Sequence, residues 1–280
     1  MMLNSHTACL KWLGIHLQNR KTMKNVGLVT GASSGIGLEF ARIHAAKGRD
    51  LVLVARRVDV LNELKLEIES SHGVRVLVIA EDLMEVGAAQ RIVDALKLND
   101  VHVEYLFNNA GLGGYGKFIE RNLVDEQKMI QLNIIALTEL THLLLPAMVA
   151  KQRGFILNTA SSAGFMPGPL QSVYFATKAF VVSFSQGIAR ELKGTGVRVS
   201  ALCPGPVKTG FEKAAGFNES PLFEKAKDAY STAKKGYDGL EKGKVIVFNE
   251  FPLGFAINWV LPLVPRKTVA WMIERLQTVK

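Results

Sequence analysis

Tyr174 and Lys178 stand four residues apart in the run Tyr174-Phe175-Ala176-Thr177-Lys178, and Ser161 lies thirteen residues before that tyrosine. On a helix, residues i and i+4 share a face, so a phenol and an ammonium reach the same space. A free tyrosine titrates near about pH 10 and is a poor base at neutral pH. The neighbouring ammonium is expected to stabilise the phenolate and lower that value. Such a phenol gives a proton to an oxygen or takes one from it. A serine hydroxyl beside it holds that oxygen and stabilises the charge developing on it. The Tyr-x-x-x-Lys spacing alone occurs on many exposed helix faces, so a second feature has to give it weight.

That feature is the run Thr30-Gly31-Ala32-Ser33-Ser34-Gly35-Ile36-Gly37 near the start of the chain. Gly31 lets the chain turn sharply, Gly35 keeps side chains away from a phosphate, and Gly37 lets the next helix pack closely on a sheet. Ser33, Ser34 and Ile36 complete the turn, whose helix N-terminus offers unpaired amides and a positive dipole end to a pyrophosphate. Together the two features imply hydride transfer between a nicotinamide dinucleotide and a carbonyl or alcohol.

The elements that must position these residues alternate. Strands are predicted at Val26–Thr30, Leu51–Val54, Val74–Ile79, Tyr105–Phe107, Phe155–Thr159 and Val197–Leu202. Helices are predicted at Ile36–Lys47, Val58–Ser71, Val86–Leu98, about Asp125 to Ala150, and Ser172–Lys193. Strands alternating with helices predict an α/β fold, a doubly wound Rossmann domain with a mainly parallel sheet of about seven strands. The less regular residues 207–240 are expected to form a small helical lid over the site.

The end of the second strand reads Val54-Ala55-Arg56-Arg57. A carboxylate there would grip the adenosine ribose; two guanidiniums suit a phosphate by charge and by their bidentate fork. NADP(H) is therefore preferred over NAD(H), with the alternative that both arginines are solvated charges opening a helix.

The spacing Gly-x-x-x-Gly-x-Gly departs from the Gly-x-Gly-x-x-Gly of many dehydrogenases, and from about Val26 to Phe211 the chain resembles the short-chain dehydrogenase/reductase family. The texture of Cys203-Pro204-Gly205-Pro206-Val207-Lys208-Thr209-Gly210-Phe211, with Ala55-Arg56-Arg57, resembles its DltE-like, mostly uncharacterised branch. The resemblance implies a catalytic set of Asn133, Ser161, Tyr174 and Lys178. Asn133, through the fold of its helix, would place a water in line with the lysine, and Lys178 would also bond the nicotinamide ribose. Asp82 and Leu83 would hold the adenine, although Asp82 is equally readable as a helix N-cap. In Asn108-Asn109-Ala110-Gly111, Asn109 would tie neighbouring strands beside the cofactor, and Ala110 and Gly111 would let the backbone approach it. Pro204 and Gly205 would turn the chain near the nicotinamide, with Val207 and Thr209 at its carboxamide; Thr209 is equally readable as a cap. Ser162 competes with Ser161, and the family spacing favours Ser161. A homodimer or homotetramer is implied as well.

Composition bounds the rest. The 280 residues carry a net charge of +9 and 48% hydrophobic residues. The cations are scattered, which argues against a nucleic-acid partner. Cys9 and Cys203 form no Cys-x-x-Cys pair, so no zinc site is expected. Residues 1–22, basic and without an acid, are expected to be a disposable extension before a single domain over 23–280, and the location is expected to be cytoplasmic. Val245 to Val264 is apolar but interrupted by Asn249, Glu250, Pro252, Asn258 and Pro262. A transmembrane span is not expected there; the segment is open to reading as a last strand, a buried crossover, an extension of the subunit interface or a peripheral membrane contact. Phe165, Met166, Pro167, Leu170, Phe211, Phe217, Leu222 and Phe223 suggest an apolar pocket for a hydrophobic ketone or aldehyde. Two other readings keep the fold without turnover: an NADP(H) redox sensor, marked by loss of the tyrosine or lysine, and a scaffold.

Overall fold

The computed structural model describes residues 23–211, 215–216 and 226–278. The 1–22 extension, with Cys9, lies outside them, and so do Phe217, Leu222 and Phe223. Seven strands form one parallel sheet: β1 (Val26–Thr30), β2 (Leu51–Ala55), β3 (Val76–Ala80), β4 (Val103–Asn108), β5 (Gly154–Thr159), β6 (Val197–Cys203) and β9 (Ile246–Phe248). Their order is β3-β2-β1-β4-β5-β6-β9. Two short strands, β7 (Val207–Lys208) and β8 (Lys227–Asp228), pair apart from it.

Both faces of the sheet are covered, so its strands are apolar throughout rather than alternating. Successive side chains still point to opposite faces. Leu51 and Leu53 meet Phe40 and Leu61, from α1 (Gly35–Ala46) and α2 (Val58–His72). Val52 and Val54 join the opposite core with Ile92 of α3 (Ala88–Leu98). The next helical rod covers Leu123–Ala150: α4 (Leu123–Ile130), a π-helical turn at Gln131–Ala136, then α5 (Leu137–Ala150). By length and composition it is apolar enough to cross a bilayer, but its Leu140, Leu144 and Met148 are core residues packed on the sheet. It is followed by α6 (Ser172–Glu191), the helix carrying Tyr174 and Lys178.

The lid expected over 207–240 divides in two. Its latter part is α7 (Ala229–Glu241), which buries Ala233, Tyr237 and Leu240 against the sheet beside Phe40 and Phe107. It is the crossover that carries the chain from β6 to parallel β9, so its apolar face belongs to the core and not to a cover. The apolar stretch after Val245 supplies the edge strand β9, then α8 (Phe251–Phe255), further helical turns to Leu263, and α9 (Arg266–Gln277).

Beneath the sheet, His44 is fully buried. Gly27 in β1 makes room for it: a Cβ there would stand 2.7 Å from the ring Nε2. Nε2 lies 2.8 Å from the Asn25 carbonyl and so donates to it; Nδ1 then accepts from the Tyr237 hydroxyl, also at 2.8 Å. That hydroxyl accepts from Arg49 at 2.6 Å, and Arg49 and Lys47 both pair with Glu241. Burial pushes the His44 pKa down to about 3 from 6.5. The imidazole is neutral in the fold, whereas the unfolded chain takes up a proton below about pH 6.5. Its contribution to stability is therefore full above pH 6.5 and lost as pH falls toward 3. His44→Gln is expected to lower Tm at pH 8 yet flatten the loss of Tm between pH 6.5 and 4, read by thermal melts across that range. An unchanged slope would place the acid sensitivity elsewhere.

Candidate active site

The chain adds β2 and β3 on one side of β1 and then places β4 on the other. Ligand clefts in such sheets open outside the carboxyl ends of the strands, at this reversal. Here Thr30 and Asn109 close the seam. The Thr30 hydroxyl accepts from the amides of Asn109 and Ala110 at 2.9 and 3.0 Å, and the Asn109 side chain donates to the Thr30 carbonyl at 3.1 Å. Thr159, ending β5, donates to Asn109 Oδ1 at 3.3 Å. Asn109 thereby ties β1 to β5 across β4. Above the seam lies a cleft of about 710 Å3.

One wall of the cleft is the glycine turn: Gly31, Ser33, Ser34, Gly35 and Ile36. Gly31 and Gly35 have φ of 65° and 57°, the left-handed region that favours glycine. A Cβ on Gly35 would stand 2.8 Å from Thr209 Cβ, so the turn meets the residue that follows β7 there. Gly37 is not on the wall. It sits beneath it, where a Cβ would be 2.4 Å from the Gly31 carbonyl and 2.5 Å from the Asn109 amide. Arg56, Arg57, Asp82 and Leu83 line one stretch of the cleft, and Asn109, Ala110 and Gly111 the floor. Pro204, Gly205, Val207 and Thr209 line the opposite side. A backbone-lined cradle at a helix N-terminus, with guanidiniums at one end, fits a nicotinamide dinucleotide.

Ser161, Tyr174 and Lys178 come together on the cleft wall. The Ser161 hydroxyl lies close enough to the Tyr174 phenol to act on its pKa, and accepts from the Ala163 amide at 3.1 Å. Lys178 Nζ donates to the Thr159 carbonyl at 2.8 Å and lies 5.8 Å from the Tyr174 ring centre. Asn133, in the π-helical turn, stands one layer behind: it holds both backbone polar groups of Leu112 at 2.9 Å and donates to Thr177 Oγ1 at 3.0 Å. Thr177 in turn donates to the Tyr174 carbonyl at 2.8 Å. The polar atoms of Asn133 therefore face protein, behind the cleft wall that Ser161, Tyr174 and Lys178 line.

Residues 25–220 match the family profile described as short chain dehydrogenase. The chain belongs to the short-chain dehydrogenase family. It is 34% identical over 249 residues to the very-long-chain 3-oxoacyl-CoA reductase of Anas platyrhynchos, a match covering 86% of this chain and 76% of that one. It is 39% identical over 191 residues to sulfoacetaldehyde reductase 2 of Chromohalobacter salexigens, covering 68% and 75% of the two chains. The fold superposes with a TM-score of 0.79, at 31% identity, on a short-chain dehydrogenase from Sphingobium yanoikuyae solved with NADPH, covering 85% of this chain and 92% of that one. As a member of this family the protein is a nicotinamide-dependent oxidoreductase that works between C=O and CH–OH groups.

Against this short-chain dehydrogenase frame, two expectations change. Burial pushes the Tyr174 pKa up to about 12, outweighing the lowering by Ser161, where the lysine spacing implied a lowered value. Burial is the dominant cause, and the lysine head donates to the Thr159 carbonyl. Burial also pushes Lys178 down to about 8. Nor is Asp82 a helix N-cap. Its carboxylate accepts from the Met84 amide in a turn, and α3 begins later, behind Gly87.

Sequence reasoning missed the last helix altogether. Ile273, Leu276 and Gln277 of α9 line the cleft, and Gln171 and Phe175 flank the tyrosine. The Tyr115 hydroxyl pins α9 by donating to the Gln277 carbonyl at 2.9 Å. The only local signal was the amphipathic spacing of Val269, Ile273 and Gln277 on one face. The Gln277 side-chain oxygen is buried without a hydrogen-bond partner, which costs about 1–3 kcal/mol. Gln277→Met keeps the length and removes the orphan. Its Tm is expected to hold or rise while KM for the carbonyl substrate changes and kcat holds; a large fall in Tm would show the amide to be structural instead.

Proposed function

We propose that this short-chain dehydrogenase reduces an apolar ketone or aldehyde with NADPH, Tyr174 delivering the proton. The observation that carries the reading is the convergence of Ser161, Tyr174 and Lys178 on one cleft wall, with the Lys178 ammonium held by the Thr159 carbonyl. The nicotinamide, when bound, supplies the hydride. Ser161 holds the carbonyl oxygen and opposes its developing charge. The Tyr174 phenol, kept protonated by burial, gives that oxygen its proton. Lys178, buried and pinned to the Thr159 carbonyl, keeps a positive charge near the phenolate that remains. Asn133 positions the tyrosine helix through Thr177.

The preference for the phosphorylated cofactor rests on the end of β2. Arg57 donates to the Ser33 hydroxyl at 2.9 Å, which sets its guanidinium beside the glycine turn, and Arg56 is largely exposed there. Asp82 forms a long ion pair with Arg56, at 3.8 Å, and both side chains remain partly exposed to solvent. The apolar substrate rests on Met166, Phe175, Phe211, Ile273 and Leu276 around the reacting end of the cleft. The long-chain acyl substrate and the NADPH in the names of two relatives agree with both parts of the reading.

The test is NADPH oxidation over a panel of ketones and aldehydes graded by size and polarity, with NADH run beside it. Tyr174→Phe is expected to lower kcat by about 10²–10⁴-fold. Arg56→Ala with Arg57→Ala is expected to raise KM for NADPH while leaving that for NADH nearly unchanged. Because the Lys178 ammonium is protonated below its pKa of about 8, the reduction rate is expected to be level below that pH and to fall above it. Turnover that survives Tyr174→Phe would remove the assignment of the proton donor.

A further inference from the structure

From Phe251 to Pro265 the chain carries no charged residue. One face of this segment is anchored inward: Ile257 is buried, and Leu253 abuts Gly205 of the cleft wall. The other face points to solvent. Phe251, Phe255, Trp259 and Leu263 follow one another at four-residue intervals along nearly continuous helical turns, which sets them in one stripe. Phe251 and Leu263 are 83% exposed and Trp259 is 69% exposed. A surface helix of a water-facing protein normally carries its polar residues on this side. An exposed apolar stripe with a polar rim marks an interaction surface.

The rim identifies the partner. Arg266 and Lys267 occupy the first turn of α9, the end where the helix dipole disfavours cations. Neither pairs with a carboxylate among the described residues. Arg275 stacks its guanidinium 4.3 Å over the exposed Trp271 ring. Against these three cations the helix has one acid, Glu274. We infer that residues 251–276 lie on an anionic lipid bilayer, with the stripe in the headgroup–acyl boundary and the basic rim on the phosphates. Aromatic rings with flanking Arg and Lys suit that layer. A two-fold contact with a second copy would set the same patch on both partners and bring two basic rims together. The copy has another face available, where Val124, Ile135 and Phe180 are exposed on the long rod and α6.

The docked stripe adjoins the cleft at two points, through Leu253 at Gly205 and through Ile273 and Leu276 on its wall. A lipid-soluble carbonyl would then enter from the bilayer, a consequence that rests on the substrate reading above. The docking itself does not depend on that reading.

The experiment is flotation of the full chain with vesicles of phosphatidylglycerol and phosphatidylcholine in equal parts, and with phosphatidylcholine alone. A Trp12→Phe background leaves Trp259 and Trp271 as the only indoles. Binding to the anionic vesicles is expected, with a blue shift of the indole emission. Trp259→Ser with Leu263→Ser should reduce partition at least roughly tenfold. Arg266→Ala with Lys267→Ala should reduce it by roughly fivefold per charge, less at high salt. NADPH binding reports that each variant is folded. Three results would overturn the inference: no flotation with anionic lipid, flotation untouched by the stripe variant, or a stripe variant that only turns a dimer into a monomer in sedimentation. Because the readout is binding, a failure of the substrate reading would leave this result standing.

Discussion

The hydrogen bonds between Thr30 and Asn109 hold the place where the sheet changes direction, and the site is built outward from them. Thr30 ends β1 with its side chain turned back into the fold, accepting from two amides of the loop after β4. That grip leaves Gly31 to make the turn out of the sheet. Asn109 fills the space beneath the turn so closely that Gly37 cannot carry a side chain. The other end of the same amide accepts from Thr159, whose carbonyl accepts from Lys178. A single series of contacts therefore runs from the glycine turn to Lys178. The separation of the two is fixed by backbone and short side chains, which have little freedom to drift.

A second polar series lies deeper. Asn108 donates to Thr141 and Asn158, and Asn158 donates to Ser185, joining β4, β5, α5 and α6. Asn133 and Thr177 do the same for the loop after β4 and the tyrosine helix. Buried amides are costly when unpaired and directional when paired. An apolar interior would hold these helices to the sheet with comparable strength but would allow α6 to slide. In the proposed reaction Tyr174 on this helix must meet a reacting atom within a fraction of an ångström, and directional contacts suit that need.

How much of this was legible in the residues follows from the range of the forces involved. The six strands from Val26 to Cys203 were readable because each is a short apolar run bounded by turn residues, and their ends shifted by only one or two positions. Ser161, Tyr174 and Lys178 were readable because their spacing is local to one strand end and one helix. The role of residues 229–241 was not, since Tyr237 is made a core residue by His44 and Arg49, nearly two hundred positions away. Nor was α9 as a wall of the cleft. Its Gln277 carbonyl is held by a tyrosine in a distant loop, and no periodicity reports such a contact. Asn133 fell between: its residue type was legible, but its position behind the reacting groups emerges only once α4, the π-helical turn and α6 are packed together.

The proton chemistry shows why spacing alone misleads in electrostatics. A lysine four residues from a tyrosine suggests a stabilised phenolate, but both groups are withdrawn from water, and burial acts on each toward its neutral form. The phenol is driven up and the ammonium down, so the charge-separated arrangement is the less favoured one in the protein's own field. A phenol raised to about 12 remains a much stronger acid than an ordinary alcohol. It can therefore still protonate an alkoxide forming beside it, whereas the reverse reaction requires a phenolate that the same burial penalises. Burial thus biases the residues of the site toward giving a proton, and a change that admitted water beside Tyr174 would weaken that bias even with every hydrogen bond in place.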